Sequence, residues 1–282
     1  MLSALHTIRA YPLDLSDPIF AHYPAMKFGD RAAVNHFAAL LAEPAAALIA
    51  QSRVRDWTLT APVLGGLPCG ADLVCQALYE NLRGRLPAGA GLRLEIPHLP
   101  WSRAPLESEG EFERYNEYSK LDLKTRRDIQ ASASSLDPLY DTPAFRGRGV
   151  LFVNDINVTG TQLQTVERAL GPARPAMLRT LLILDVAHGI GCRFPQLESE
   201  INNSKLHTRT ALVDFLQCRD LEPTGKLIAR LLSYGTDDLR EILGALGDAK
   251  RGLLRRAIAE EGIYGGALFR DKLAVLSGAG AG

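Results

Sequence analysis

An α/β fold, built on a mostly parallel twisted sheet covered by helices on both faces and followed by a C-terminal helical module, is what this 282-residue sequence predicts. Three observations predict it. Runs such as Val150-Leu151-Phe152-Val153 and Thr180-Leu181-Leu182-Ile183-Leu184 are apolar almost throughout, the mark of strands buried on both faces. The first of them, and a shorter run at Trp57–Ala61, are followed by apolar residues at helical spacing, and that alternation belongs to a parallel sheet. From Pro195 the strand signals stop and leucine-rich helical runs take over.

Taken in order, residues 1–29 hold Pro12, Pro18 and Pro24 among aromatics with little periodicity, and read as an irregular arm. Gly29-Asp30 opens a helical pattern through Val34, Phe37 and Leu41, which Pro44 is expected to bend or divide. The strand Trp57–Ala61 leads through Pro62–Gly70 into a helix carrying Leu73, Val74, Leu78 and Leu82. A third strand, Leu92–Ile96, enters a polar, charge-alternating connection from Pro97 to about Thr142; connections of that length in compact domains are functional or disordered. After the two strongest strands, runs around Leu227–Leu232, Leu239–Leu246 and Leu253–Ile258 read as helices, with Thr236 as an N-cap. The division expected is an arm and helix over 1–55, an α/β core over 56–194, a helical module over 195–276, and a disordered tail over 277–282. Gly225-Lys226 does not make a phosphate loop of the P-loop kind, because the preceding glycine is absent and Leu227 takes the hydroxyl position.

Composition narrows the function classes. Lysine plus arginine balance aspartate plus glutamate at 32 each, so no basic field advertises nucleic acid and any phosphate site must be local. Cys69, Cys75, Cys192 and Cys218 lack C-x-x-C or zinc spacing and read as reduced thiols. No uninterrupted apolar run reaches membrane-spanning length and the start lacks a secretory core, so a cytoplasmic protein is expected.

The chemistry concentrates where the 150–153 strand ends, in Asn154-Asp155-Ile156-Asn157-Val158-Thr159-Gly160-Thr161. Asp155 can accept hydrogen bonds from sugar hydroxyls. Thr159, Gly160 and Thr161 offer backbone N–H groups and hydroxyls at a helix start, where the dipole favours an anion. A glycine pair, Gly65-Gly66, lies in the turn after the first core strand, another place where backbone can approach an anion.

The whole run, apolar strand, polar-acid pair, small residue and Thr-Gly turn, resembles the PRPP-binding loop of type I phosphoribosyltransferases. The resemblance covers roughly residues 57–190, and the Gly-Gly turn, the long polar connection and the Thr-Gly turn occur in that family's order. It implies that Asn154 and Asp155 face the ribose, that Val158 to Thr161 wrap the 5′-phosphate, that Asn157 also belongs to the PRPP-binding loop, and that Leu64-Gly65-Gly66 meets pyrophosphate. It further implies a mobile catalytic loop with Tyr118, Ser119, Lys120, Arg126 and Arg127, in which Lys120 and Arg126 join Asp155 as catalytic candidates. Mg²⁺ would be bound with the help of Asp155; PRPP and a nitrogenous base would be the partners, and a homodimer the assembly. Tyr118–Leu121 and Pro195–Asn202 are similar to the phosphoribosyltransferase-like proteins of bacterial tellurite and stress-response gene clusters. Asn154 departs from the family's usual acid, and exchanging a charge-assisted hydrogen bond for a neutral one lowers binding roughly tenfold. The alternative function on the same fold is therefore a non-catalytic PRPP or nucleotide sensor. Val158 stands where members acting on 6-oxopurines carry an acid, which disfavours those bases. The helices beyond Pro195 supply the largest remaining apolar surface, with the 1–50 arm as the other source, and are expected to cover the base.

Overall fold

The computed structural model describes residues 2–62, 66–98, 105–116 and 137–277, without the side chains of 114–116, 137 and 138. Leu64, Gly65, Tyr118, Ser119, Lys120, Arg126 and Arg127 lie outside the described residues. Five strands, β1 (Leu2–Ile8), β2 (Asp56–Thr60), β3 (Gly91–Leu94), β4 (Gly149–Asn157) and β5 (Met177–Val186), form one sheet in the order β1-β5-β4-β2-β3. Every neighbouring pair is parallel. The predicted α/β architecture, with helices on both faces and a C-terminal helical assembly, is the one observed.

Alternation along β4 shows how the layers arise. Leu151 and Val153 project into a core shared with α1 (Ile19–Lys27), α2 (Arg31–Ala50) and α3 (Gly70–Arg83). Val150 and Phe152 project into a smaller core with Phe145, α5 (Asp137–Tyr140) and α6 (Thr161–Leu170), which follow α4 (Glu109–Asn116) in the chain. Because both faces are covered, the strand reads as a continuous apolar run.

Residues 1–29 are not an irregular arm. β1 adds to the sheet edge beside β5, with Leu2 paired to Thr180 and Ile8 to Val186, and α1 follows. Six of the seven β1 residues keep some exposure, so apolar periodicity is weak, while backbone pairing to β5 supplies the order that periodicity does not report. α2 runs unbroken through Pro44. A proline inside a helix costs about 3 kcal/mol, whereas burying Phe37, Leu41 and Ile49 contributes roughly 1.5–3 kcal/mol each. The same helix has the length and composition to cross a membrane, with a mean hydropathy of 1.4, contrary to the expectation that no segment would. Here its buried residues pack in the core.

Beyond β5 come α7 (His188–Arg193), α8 (Leu197–Asn203), α9 (Arg209–Cys218), α10 (Gly225–Leu232), α11 (Thr236–Gly244), α12 (Asp248–Glu261) and α13 (Arg270–Ser277). Leu197 and Ile201 of α8 pack with the sheet core, whereas the later helices build a separate core around Leu227, Leu231, Leu239 and Ile258. The packing boundary thus falls after α8, later than the change in composition at Pro195. Gly235, not Thr236, is the N-cap of α11, and Thr236 is its first helical residue.

Candidate functional site

The connection from β2 to β3 moves one way along the sheet and that from β4 to β5 the other, so the strand order reverses between β2 and β4. Parallel sheets open a crevice at the carboxyl ends of such neighbours. The turn after β2 and the turn after β4 both emerge there.

The β4 turn is built by its own side chains. Asn157 Oδ1 accepts the Gly160 N–H at 2.9 Å, and its Nδ2 donates to Asp185 Oδ1 at 2.7 Å, tying the turn to the end of β5. Gly160 has φ +79°, a left-handed conformation that a side chain disfavours. The first intrahelical bond of α6 runs from Gln164 N to Gly160 O, and no side chain caps the helix start. The N–H groups of Thr161, Gln162 and Leu163 therefore have no acceptor within the helix, and a helix start of this kind favours negative charge. Thr159 and Thr161 place their hydroxyls 2.9 Å apart beside them. Val158 is buried, and a Cβ on Gly191 of α7 would overlap its carbonyl, so α7 is pressed against the turn. His188 lies near Cys192 Sγ, with Nε2 at 3.6 Å.

Asn154 and Asp155, which the resemblance implies both face the ribose, point their side chains to opposite faces of the sheet. β4 continues as strand to Asn157, and successive strand residues point to opposite faces. Asn154 donates to Gln162 Oε1 at 3.0 Å and to Ile156 O at 3.1 Å, on the α6 side. Asp155 points to the α1 side, where Tyr23 donates to Oδ2 at 3.2 Å and Lys27 makes an ion pair with the same oxygen. Oδ1 accepts the Ile156 N–H at 2.9 Å. Of about four acceptor positions on the carboxylate, donors among the described residues fill three.

Lys27 also lies 3.5 Å from Glu198 Oε1 on α8, the helix formed by part of the 195–202 segment singled out in the sequence. Burial works against the Lys27 charge, but Asp155 and Glu198 outweigh it and hold the pKa above the ordinary lysine value. Burial first, then the charges of Asp155 and Glu198, push the Tyr23 phenol well above its usual range. Burial, assisted by Asp155, pushes the Cys69 thiol up to about 12. Tyr23 and Lys27 had no place in the sequence reading because they belong to the supposed arm. Their spacing of four residues, which puts both on one side of a helix, was the available signal.

The β2 turn is held from the C-terminal helices. Leu67 N–H donates to Glu261 Oε2 at 2.6 Å, and Gly66 lies against the backbone of Glu260. Thr224 donates to the carbonyl of Lys27 at 2.8 Å, and Leu106 N–H donates to Ile263 O at 2.8 Å. The helical assembly thus touches α1, the β2 turn and the segment near Leu106.

The donor set does not fit Asp155 as a direct Mg²⁺ ligand, because an ammonium and a phenol already occupy Oδ2 and a backbone N–H occupies Oδ1. Among the described residues no group of three His, Cys, Asp or Glu side chains is arranged to hold a metal.

No family model matches the chain, and no curated protein matches it. Solved structures similar to it include a hypoxanthine-guanine phosphoribosyltransferase from Leishmania tarentolae in complex with GMP, at 17% identity over 56% of this chain and 70% of that one, with a TM-score of 0.34. A hypoxanthine phosphoribosyltransferase from Trypanosoma cruzi matches at 20% identity over 57% and 69%, with a TM-score of 0.32. One from Staphylococcus aureus matches at 12% over 56% and 65%, with a TM-score of 0.30.

Proposed function

We propose that this chain holds the 5-phosphate of a phosphoribosyl group on the Gly160 turn and acts as a phosphoribosyltransferase, exchanging pyrophosphate and a nitrogenous base at C1 of PRPP. The observation that supports it best is the start of α6, which no side chain among the described residues caps and which lies beside two threonine hydroxyls at the reversal of strand order. Asp155 is the adjoining acid, with one acceptor position for a ribose hydroxyl. The reaction develops positive charge on the ribose ring, and positioning and electrostatics do most of the work in such a site. Mg²⁺, carried on pyrophosphate oxygens, would neutralise leaving-group charge. Val158 has no titratable group, which supports a base other than a 6-oxopurine. A cytoplasmic homodimer completes the proposal.

A second reading, a PRPP or nucleotide sensor without catalysis, is favoured by one observation: Asp155 is already engaged by three donors and Asn154 faces away. One pair of assays separates these readings. Bound at ~100 times its dissociation constant, PRPP with Mg²⁺ should raise stability by about 2.7 kcal/mol; a melting temperature unmoved by millimolar PRPP rules out both. Pyrophosphate release with a panel of bases then identifies the enzyme, and binding without release identifies the sensor.

A further inference from the structure

The Lys27 ammonium is shared by two carboxylates, only one of which the proposed ligand needs. We infer that Glu198 is a positioning residue of this site: as the second counter-ion of Lys27, it lets Asp155 exchange its lysine partner for a ligand hydroxyl. The ligand half of this inference rests on the phosphoribosyl reading; the ion-pair half rests on the geometry alone.

A ribose presents a diol, and Asp155 has a single acceptor position remaining. One of its three donors must leave if both hydroxyls are to be received. The Ile156 N–H is backbone and adjacent, at 2.9 Å from Oδ1, and cannot leave without breaking the strand end. Tyr23 is fully buried in the core, with its ring packed edge-on against Phe37. Lys27 differs from both, since its ammonium sits at the end of a flexible four-carbon stem. Its carbonyl is fixed by Thr224, so the motion available is that of the side chain alone.

A buried ammonium does not part from its sole counter-ion without a large penalty. Glu198 Oε1, 3.5 Å from Nζ, removes that penalty. It is carried on α8, which packs on α1. The ammonium needs only to shift toward Glu198 for Asp155 Oδ2 to open. The raised Lys27 pKa agrees with two carboxylates acting on one ammonium.

Two double-mutant cycles on the full chain test this. In the first, calorimetry measures PRPP with Mg²⁺ binding to wild type, Glu198→Gln, Lys27→Met and the double variant. Glu198→Gln strands the ammonium on Asp155 and should weaken binding about tenfold, the difference between a charge-assisted and a neutral partner. Removing the ammonium as well should restore most of that loss; Glu198→Gln binding as tightly as wild type overturns the inference. The second cycle needs no ligand and compares urea unfolding of Asp155→Asn, Glu198→Gln and the double variant. Shared pairing predicts a loss in the double variant larger than the sum of the single losses, because either carboxylate alone still neutralises Lys27. Additive losses overturn it. If wild type binds no PRPP, the phosphoribosyl reading fails and the unfolding cycle alone decides the pairing.

Discussion

Gly160→Ala isolates the conformation of the proposed phosphate turn. At φ +79° and ψ −8° the residue sits in the left-handed region, where an L side chain costs roughly 1–2 kcal/mol. Steric collision contributes nothing, since a Cβ there would meet only Gln164 Nε2, at 3.8 Å. The expected loss of stability is therefore about 1–2 kcal/mol, all of it backbone strain, measured by urea denaturation with an unchanged m-value. Asparagine tolerates this conformation better than alanine, so Gly160→Asn should lose less. If the turn relaxes to relieve the strain, the Gly160 N–H leaves Asn157 and the three N–H groups lose their common direction, so alanine should also weaken ribose 5-phosphate binding. Alanine and asparagine variants of equal stability, or an alanine cost below about 0.5 kcal/mol, would refute the reasoning.

Gly191→Ala should be far more damaging than Gly189→Ala, because a Cβ at 191 overlaps the Val158 carbonyl whereas nothing lies within 4 Å of one at 189; comparing yields of folded protein and unfolding midpoints checks this. Glu261→Ala removes the acceptor of the buried Leu67 N–H and should cost about 1–3 kcal/mol, with hydrogen exchange of the Leu67 amide accelerated relative to those of β4. Thiol labelling of the native protein at pH 8 should modify exposed Cys218 first and spare Cys75, which is buried, and Cys69, whose pKa is pushed up to about 12; unfolding should release all four.

Much of the architecture was legible because burial leaves a local signature. The near-continuous apolar runs at 150–153 and 180–184 can be satisfied only between two covered faces, and both proved to be inner strands. The helical pattern that opens at Gly29-Asp30 is α2, and Asp30 is its N-cap, accepting from Ala32 N at 3.2 Å. Gly160 beside two threonines marked a helix start through conformational freedom and hydroxyl chemistry, both properties of the residues themselves. β1 and α1 were not legible in the same way. Their order comes from pairing with β5 and packing on α2 and α8, contacts distant in sequence.

The sequence by itself determined which residue types stand at the end of β4: a carboxylate, an amide, small residues and hydroxyls. Only the tertiary structure decided which way they face. A strand that ends before residue 154 would leave Asn154 and Asp155 free to turn toward one ligand, whereas a strand that continues to Asn157 sends them to opposite faces, and pairing with Leu182 through Asp185 on β5 carries it there. The tertiary structure likewise brought Lys27, from 128 residues upstream, and Glu198, from the far side of β5, to one carboxylate. Composition could count those charges, but a Coulomb interaction depends on distance through space, and chain order does not report it.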